Sequence, residues 1–459
     1  MHPRPVIAVI DVGKTNKKLF LFDEGYNLVY ERSARFLETV DEDGDACENI
    51  ESLRLSVFDS LRSVFNTKEF DVRAVNFSAY GASFVYLDED GNPLTPLYNY
   101  LKPYPESLNK KFYSDYGGEE HLSLSTASPV LGSLNSGLQL YRLKWEKPEL
   151  YAQIKYALHL PQYLSYLLTG KACTDMTSVG CHTHLWDFQK GDYHTWVYDE
   201  GLDQKFAPIV AGDQTAPAVF PGNEYVVGVG LHDSSAALIP YLVNFHEPFI
   251  LISTGTWCIS LNPFTDSPLT TLELAQDCLC YLQYNGRPVK ASRLFAGREH
   301  EAGIKRLAEH FGVDAGVFRN VPFDPETIAA IEKKDRPAND VNAGRPVFAQ
   351  RDLSGYASYA EAYHRLMLDI VVQQVTSTSL VLDGSPVKRL FVDGGFGKNP
   401  LYMNLLAAAF PQLEVYAASM AQATALGAAL AIHSSWNKKS IPNTLITLQY
   451  YARAHTVMV

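Results

Sequence analysis

Apolar positions along the chain fall into two alternating patterns. Short, β-branched apolar runs predict buried strands at residues 6–11, 18–23, 27–33 and 72–78, and again at 249–253 and 257–261. Longer stretches with helical spacing predict helices at 49–65, 138–145, 160–168, 356–382 and 400–409. In 356–382, Leu366, Met367, Ile370, Val371 and Val375 form one apolar stripe. Pro161 sits where a first helical turn accepts it. Strand, small-residue turn, strand occurs near the start of each half of the chain, which points to a duplicated α/β domain with two facing phosphate loops. Residues 105–225 read as a mostly helical, irregular insertion. Residues 85–92 read as a hairpin, and the acidic run 41–45 as a solvated loop.

Composition narrows the class without naming a function. The chain has 459 residues, 46% apolar and 20% charged, so each half can bury its own core. The 39 basic and 51 acidic residues leave a net charge of −12, which excludes a general nucleic-acid binder but not a local nucleotide site. Six cysteines without paired CxxC spacing argue against structural zinc and for free thiols in a reducing compartment. No apolar stretch approaches the ~18 residues of a membrane helix, and residues 6–10 are too short for a signal peptide, so the cytoplasm is expected.

Several short segments carry candidate chemistry. Asp11 ends a strand and opens the turn Gly13-Lys14-Thr15-Asn16, followed by Lys18. Backbone N–H groups, a hydroxyl and lysines there suit phosphate, and Asp11 suits Mg²⁺. A P-loop is rejected because it needs glycine at position 8, which is Ala8, and because a strand follows rather than a helix. Thr254-Gly255-Thr256 is a second candidate phosphate turn. Gly394-Gly395 follows a strand and precedes Asn399, an N-cap, and Pro400, a first helical residue. His232-Asp233 precedes small residues at a helix start, where a carboxylate can accept a proton from a hydroxyl. Gly81 and Ser83 can line a polyol pocket. His182 and His184 read as structural. Taken singly, each segment also fits a plain turn, hairpin or cap.

Taken in order, these segments resemble the FGGY family of carbohydrate kinases. The resemblance runs from Asp11-Val12-Gly13-Lys14-Thr15-Asn16 through Tyr80-Gly81-Ala82-Ser83, Leu168-Thr169-Gly170, His232-Asp233, Thr254-Gly255-Thr256-Trp257 and Gly394-Gly395 to Ala425-Leu426-Gly427. It implies a duplicated actin-like, ribonuclease-H-like ATPase fold with two domains, 1–245 and 246–459, around a central cleft. It further implies ATP with Mg²⁺ as cofactors, a small-molecule sugar as substrate, and no nucleic-acid or membrane partner; a homodimer is compatible with it. Asp233 would be the general base and, with Asp11, a metal ligand. Gly81, Ser83 and His232 would meet the sugar. Gly13, Lys14, Thr15, Asn16, Lys18, Gly255, Thr256, Gly394, Gly395 and Asn399 would meet the nucleotide. His232-Asp233 and Thr254 to Trp257 look most like the branch acting on L-rhamnulose or L-fuculose; xylulose, ribulose and glycerol are the alternatives, as is a non-catalytic nucleotide-binding protein of the same fold. Lys14 departs from the small hydroxyl residue of many relatives.

Overall fold

Strand Arg4–Val12 is apolar on both faces because helices cover both sides of it. Val6, Ala8 and Ile10 join a core with Leu53, Val57 and Leu61 of helix Ile50–Phe65. Ile7 and Val9 point the other way, into a core with Ile239 of helix Asp233–Asn244 and with Ala425 and Ala428 of helix Ala423–Ala431. The computed structural model in which these contacts are seen describes residues 2–14, 17–34, 37–222, 224–335, 348–382 and 384–452.

Arg4–Val12 pairs antiparallel with Lys17–Asp23, which pairs antiparallel with Leu28–Ala34. On its other edge it pairs parallel with Phe70–Ala79, which pairs parallel with Val226–Gly228. The second unit repeats this connectivity. Phe249–Thr254 pairs antiparallel with Cys258–Asn262, and that with Pro288–Leu294. Phe249–Thr254 also pairs parallel with Arg389–Gly394, which pairs parallel with Glu414–Ser419. The duplication is therefore one of topology as well as of turn type, and each mixed sheet has seven strands. Two α/β units of this design make up the ribonuclease-H-like, actin-like architecture.

Helices lie close to where the hydrophobic spacing places them. Helix Ile50–Phe65 is capped by Asn49, whose side chain accepts from the Ser52 N–H. Helix Tyr359–Leu382 buries its apolar stripe against the second sheet. Helix Pro400–Ala409 starts at Pro400 with Asn399 as its cap. Part of the insertion has its own core, formed by Phe84, Phe112, Tyr141 and Trp196.

The fold refines two local expectations. Residues 85–92 do turn back on themselves, the Asp88 N–H donating to the Asn92 carbonyl and the Leu94 N–H to the Tyr86 carbonyl, but strand Phe84–Leu87 forms its ladder with the distant Tyr156–His159. The acidic run is not a solvated loop throughout. The Asp41 carboxylate is fully buried, accepts from the backbone of Asp43 and Asp45, and pairs with Lys102. A buried cation from a distant segment makes that burial tolerable, and local sequence carries no sign of it.

Helix Asp233–Asn244 lies where the two units meet. Its Ala236 and Ile239 belong to the core of the first sheet, and its Leu238 and Tyr241 to that of the second. Helix Ala423–Ala431 crosses it although that helix lies in the second half of the chain. At the crossing, a Cβ added to Gly427 would sit 1.8 Å from the Ala236 carbonyl oxygen. Gly427→Ala is expected to cost about 1–3 kcal/mol, as overpacking generally does. Thermal denaturation beside Gly355→Ala, whose added Cβ meets nothing within 4 Å, checks this: a drop in Tm confined to Gly427→Ala is expected.

Candidate active site

Two carboxylates stand at the ends of the elements that join the units. Asp233 is the first residue of helix Asp233–Asn244, and its Oδ1 accepts from the Ser234 N–H at 2.6 Å. The helix N-terminus favours its anion, but burial dominates and raises its pKa from 3.8 to about 6. Its side chain keeps 33% of its surface exposed. Asp11 lies at the end of the first strand, and its Oδ2 accepts from the Thr424 hydroxyl at 2.8 Å, in the first turn of helix Ala423–Ala431. Burial raises the Asp11 pKa to about 6; the Thr424 hydrogen bond opposes this, and the charge of Asp233 reinforces it. Each crossing helix therefore delivers its N-terminal end to one acid of the pair.

Around Asp233 the structure gathers residues that the sequence singled out separately. The His232 ring lies against Gly81, where an added Cβ would come within 2.4 Å of Cδ2. Desolvation lowers the His232 pKa to about 4, so the imidazole is neutral. Its Nε2 stands 3.5 Å from Asp233 Oδ1 and 3.4 Å from Cys181 Sγ. Ser83 differs from expectation: it is fully buried and its hydroxyl donates to the Tyr98 carbonyl at 2.8 Å, so it presents no group to a ligand. Lys14 Nζ lies 3.7 Å from the buried Glu48 and near the rings of Tyr80 and Tyr100. Lys18 faces Asp11 across the strand pair, lowers its pKa slightly by its charge, and bonds Glu31. Gly13 opens the turn; Thr15 and Asn16 lie outside the described residues.

In the second unit the glycine segments meet around one cavity of about 500 Å³. Gly255, Gly297, Gly395, Lys398 and Asn399 contribute to its lining, as do His300, Phe318 and Arg319. Thr254 joins the two loops: its hydroxyl donates to the Asp393 carbonyl and accepts from the Phe396 N–H, while its carbonyl accepts from the Gly395 N–H. Gly394 adopts φ +91°, and a Cβ there would lie 1.9 Å from the Thr254 carbonyl oxygen. A Cβ on Gly395 would meet nothing within 4 Å, so that residue faces open space. Asn399 caps its helix and also donates to the Tyr363 hydroxyl at 2.8 Å. Thr256 is exposed beside Gly255.

The N-terminal domain of the FGGY family of carbohydrate kinases matches residues 6–216, and the C-terminal domain of carbohydrate kinase FGGY matches residues 246–440. The chain belongs to the FGGY family of carbohydrate kinases. A rhamnulokinase of Mannheimia succiniciproducens is 24% identical over 274 residues, 57% of this chain and 55% of that protein. The chain thus spans about half the length of the curated relatives it matches. A carbohydrate kinase from Novosphingobium aromaticivorans is 26% identical, with a TM-score of 0.81 over 99% of this chain and 95% of that one. The xylulose kinase of Lactobacillus acidophilus, 16% identical, shares the fold with a TM-score of 0.75 over 98% of this chain and 94% of its own.

Within this FGGY chain, sequence reasoning missed several residues of the site. Arg293 lies over the Trp257 ring and is held by Asp277, and its charge reaches Cys181 and Tyr281, which also feel Asp233. It therefore links the Gly255 turn to the surroundings of Asp233. Asn76 is fully buried, donates to the Ala428 carbonyl at 2.7 Å and accepts from the Gly230 N–H at 3.1 Å. It ties the late helix to the turn that precedes His232. His300 and Phe318 enter the cavity wall from a helix and a short 3₁₀ turn whose sequences carry no motif. The signal the sequence offered was Asn76, a polar residue set between the apolar Val75 and Phe77 of its strand.

The acid pair gives a stability prediction. A carboxyl whose folded pKa is raised favours the protonated form, so its destabilising effect is absent below the ordinary value of 3.8, builds between there and about 6, and is fully present above that. In metal-free protein, Asp233→Asn should raise Tm by about 2–4 °C at pH 8, for about 1 kcal/mol regained. The gain should vanish below pH 3.8. Melting curves of both proteins across this range check the sign; an equal offset at both ends of it would remove burial of the charge as its cause.

Proposed function

We propose that this chain is an ATP-dependent kinase that phosphorylates a hydroxyl of a small ketose or polyol. The observation that carries this is Asp233: a carboxylate at a helix N-terminus, partly open to solvent, with its pKa raised to about 6 and a neutral imidazole beside it. Such a group exchanges a proton with a hydroxyl near neutral pH. We assign the sugar side to residues 1–245 and the nucleotide side to 246–459, with the transfer occurring in the cleft between them. The reducing chemistry of the cytoplasm suits the six free cysteines.

In this reading the sugar sits against Gly81 and His232, and Asp233 accepts the proton of the attacking hydroxyl. The adenosine occupies the cavity bounded by Gly395, Asn399 and His300. Its phosphates run between the Gly255-Thr256 turn and the turn opened by Gly13, with Lys14, Thr15, Asn16 and Lys18 on the sugar-domain side. Gly394 supports that loop by close packing on Thr254. Asp11 and Asp233 fit Mg²⁺ because they are two desolvated acids that raise each other's cost of ionising, an arrangement a cation would relieve; Lys18 offsets this only weakly, at Asp11. When bound, the ion would neutralise charge on the phosphates. The chain's own part is to hold both reactants in line and to exclude water when the two units close.

L-Rhamnulose or L-fuculose is the narrower reading, supported by the His232-Asp233 pair and by relatives named rhamnulokinase. Structural relatives named xylulose kinase and glycerol kinase share the same fold, so the broader ketose or polyol class is the better-supported statement.

A panel of ketoses and polyols with ATP, read by coupled ADP release and by mass of the product, is expected to show sugar-dependent ADP release and a phosphorylated sugar. Sugar-independent ATP hydrolysis with no phosphorylated product would overturn the reading. Asp233→Asn should fold and lower kcat by about 10²–10⁴-fold, the usual contribution of a positioned base. Gly395→Ala should leave Tm unchanged and raise the KM for ATP about 10-fold, because one added carbon enters the proposed nucleotide cavity. An unchanged KM would move the adenosine elsewhere.

A further inference from the structure

Cys181, His182 and His232 come from two chain segments and meet beside Asp233. One ligand-capable atom of each lies within 4.8 Å of the others. Sequence spacing concealed this cluster, because His182 and His184 look like a pair and only the fold separates their roles. His184 is fully buried and spends its ring on the hydroxyls of Tyr113 and Thr126. His182 adopts φ +40° and faces His232 edge-on.

We propose that Cys181, His182 and His232 form a binding site for a soft divalent cation of the zinc class, and that a cation held there inhibits the enzyme by taking Asp233 as its fourth ligand. Three ligand atoms stand close enough to share one ion, and the Asp233 carboxylate, which reaches the cluster through His232, must turn toward it to complete a tetrahedron. Cys181 Sγ and His232 Nε2 are 3.4 Å apart, and Asp233 Oδ1 is 3.5 Å from the same nitrogen. Ligands at about 2.3 Å for sulfur and about 2.0–2.1 Å for nitrogen in a tetrahedron stand roughly that far apart. His182 Nδ1 donates to the Leu134 carbonyl at 3.2 Å. A carbonyl partner on one ring nitrogen fixes the tautomer that offers the other nitrogen to a metal.

The ligand set separates this site from the proposed magnesium position. Thiolate and imidazole select zinc over magnesium, which prefers oxygen and water. Charge also balances. The Cys181 thiol loses its proton to solvent as sulfur bonds the metal, and one thiolate with one carboxylate neutralises a divalent ion. The exposed third of the Asp233 side chain is the route of entry. Asp233 bound to the cation can no longer accept a proton from a sugar hydroxyl. The inhibitory half of this proposal rests on Asp233 as the base; the binding half does not.

The test separates the two halves. Chelator-treated full-length protein, with neither sugar nor nucleotide, is titrated with Co²⁺ as the spectroscopic probe. One equivalent with a sulfur-to-cobalt charge-transfer band, displaced by Zn²⁺, is expected. Cys181→Ser should abolish the band, and His182→Asn, which suits a positive φ, should weaken binding by more than the ~10-fold typical of removing a mere supporting partner. No thiolate band, or a band that survives in Cys181→Ser, overturns the site. Turnover is then measured with the sugar found by the panel and MgATP at buffered free Zn²⁺. Zinc should inhibit the parent, and Cys181→Ser, scored against its own zinc-free rate, should need at least ~10-fold more zinc for the same fractional inhibition. A protein that binds the metal yet turns over unimpaired overturns the inhibitory half. If no sugar is phosphorylated, the kinase reading fails while the cobalt titration still decides the site.

Discussion

The close crossing of helix Asp233–Asn244 over helix Ala423–Ala431 governs the arrangement of this molecule. Gly427 against the Ala236 carbonyl leaves no room for a side chain, so the two helices approach backbone to backbone. That approach brings both N-terminal ends to one place. One end begins with Asp233, and the other carries Thr424, which holds Asp11 at 2.8 Å. The first helix also contributes to the cores of both sheets, with Ala236 and Ile239 on one side and Leu238 and Tyr241 on the other. A change in the relative position of the two units therefore acts directly on the acid pair.

Electrostatics at that place oppose stability. Two carboxylates are desolvated near one another, each with its pKa moved to about 6. Their ionised forms are disfavoured in the protein alone, and a cation or a proton at either carboxylate would relieve that cost. Strain of this kind at a functional site is common, because the chemistry needs a group that a purely structural optimum would leave neutral. The same desolvation keeps His232 and His182 neutral, which suits imidazoles as hydrogen-bonding groups or as metal ligands.

In the second unit, close backbone packing shapes the cavity, and Lys398 and Arg319 place positive charge in its wall. Thr254 fastens the loop after Arg389–Gly394 to the end of Phe249–Thr254 through its hydroxyl and its carbonyl. Gly394 is required by that stitching, whereas a Cβ on Gly395 would meet nothing within 4 Å. The two adjacent glycines thus differ in their surroundings, and substitution distinguishes them. A net charge of −12 does not conflict with such a site, since backbone N–H groups and a few cations act locally.

The sequence by itself determined the elements and their order. Apolar strands covered on both faces, the cap at Asn399 with Pro400 behind it, and the repeated strand-turn-strand are consequences of local periodicity and local hydrogen bonding. The placement of Asp233 at a helix start and of Asp11 at a strand end was legible for the same reason. Tertiary structure alone decided which of these meet. Ser83 turned inward to the Tyr98 carbonyl, Asp41 was buried against Lys102, and Phe84–Leu87 paired with Tyr156–His159. Arg293, Asn76, His300 and Cys181 entered the site from segments without a motif. Contacts between residues far apart in the chain depend on sheet order and on the close helix crossing, and neither is encoded in any short window of sequence.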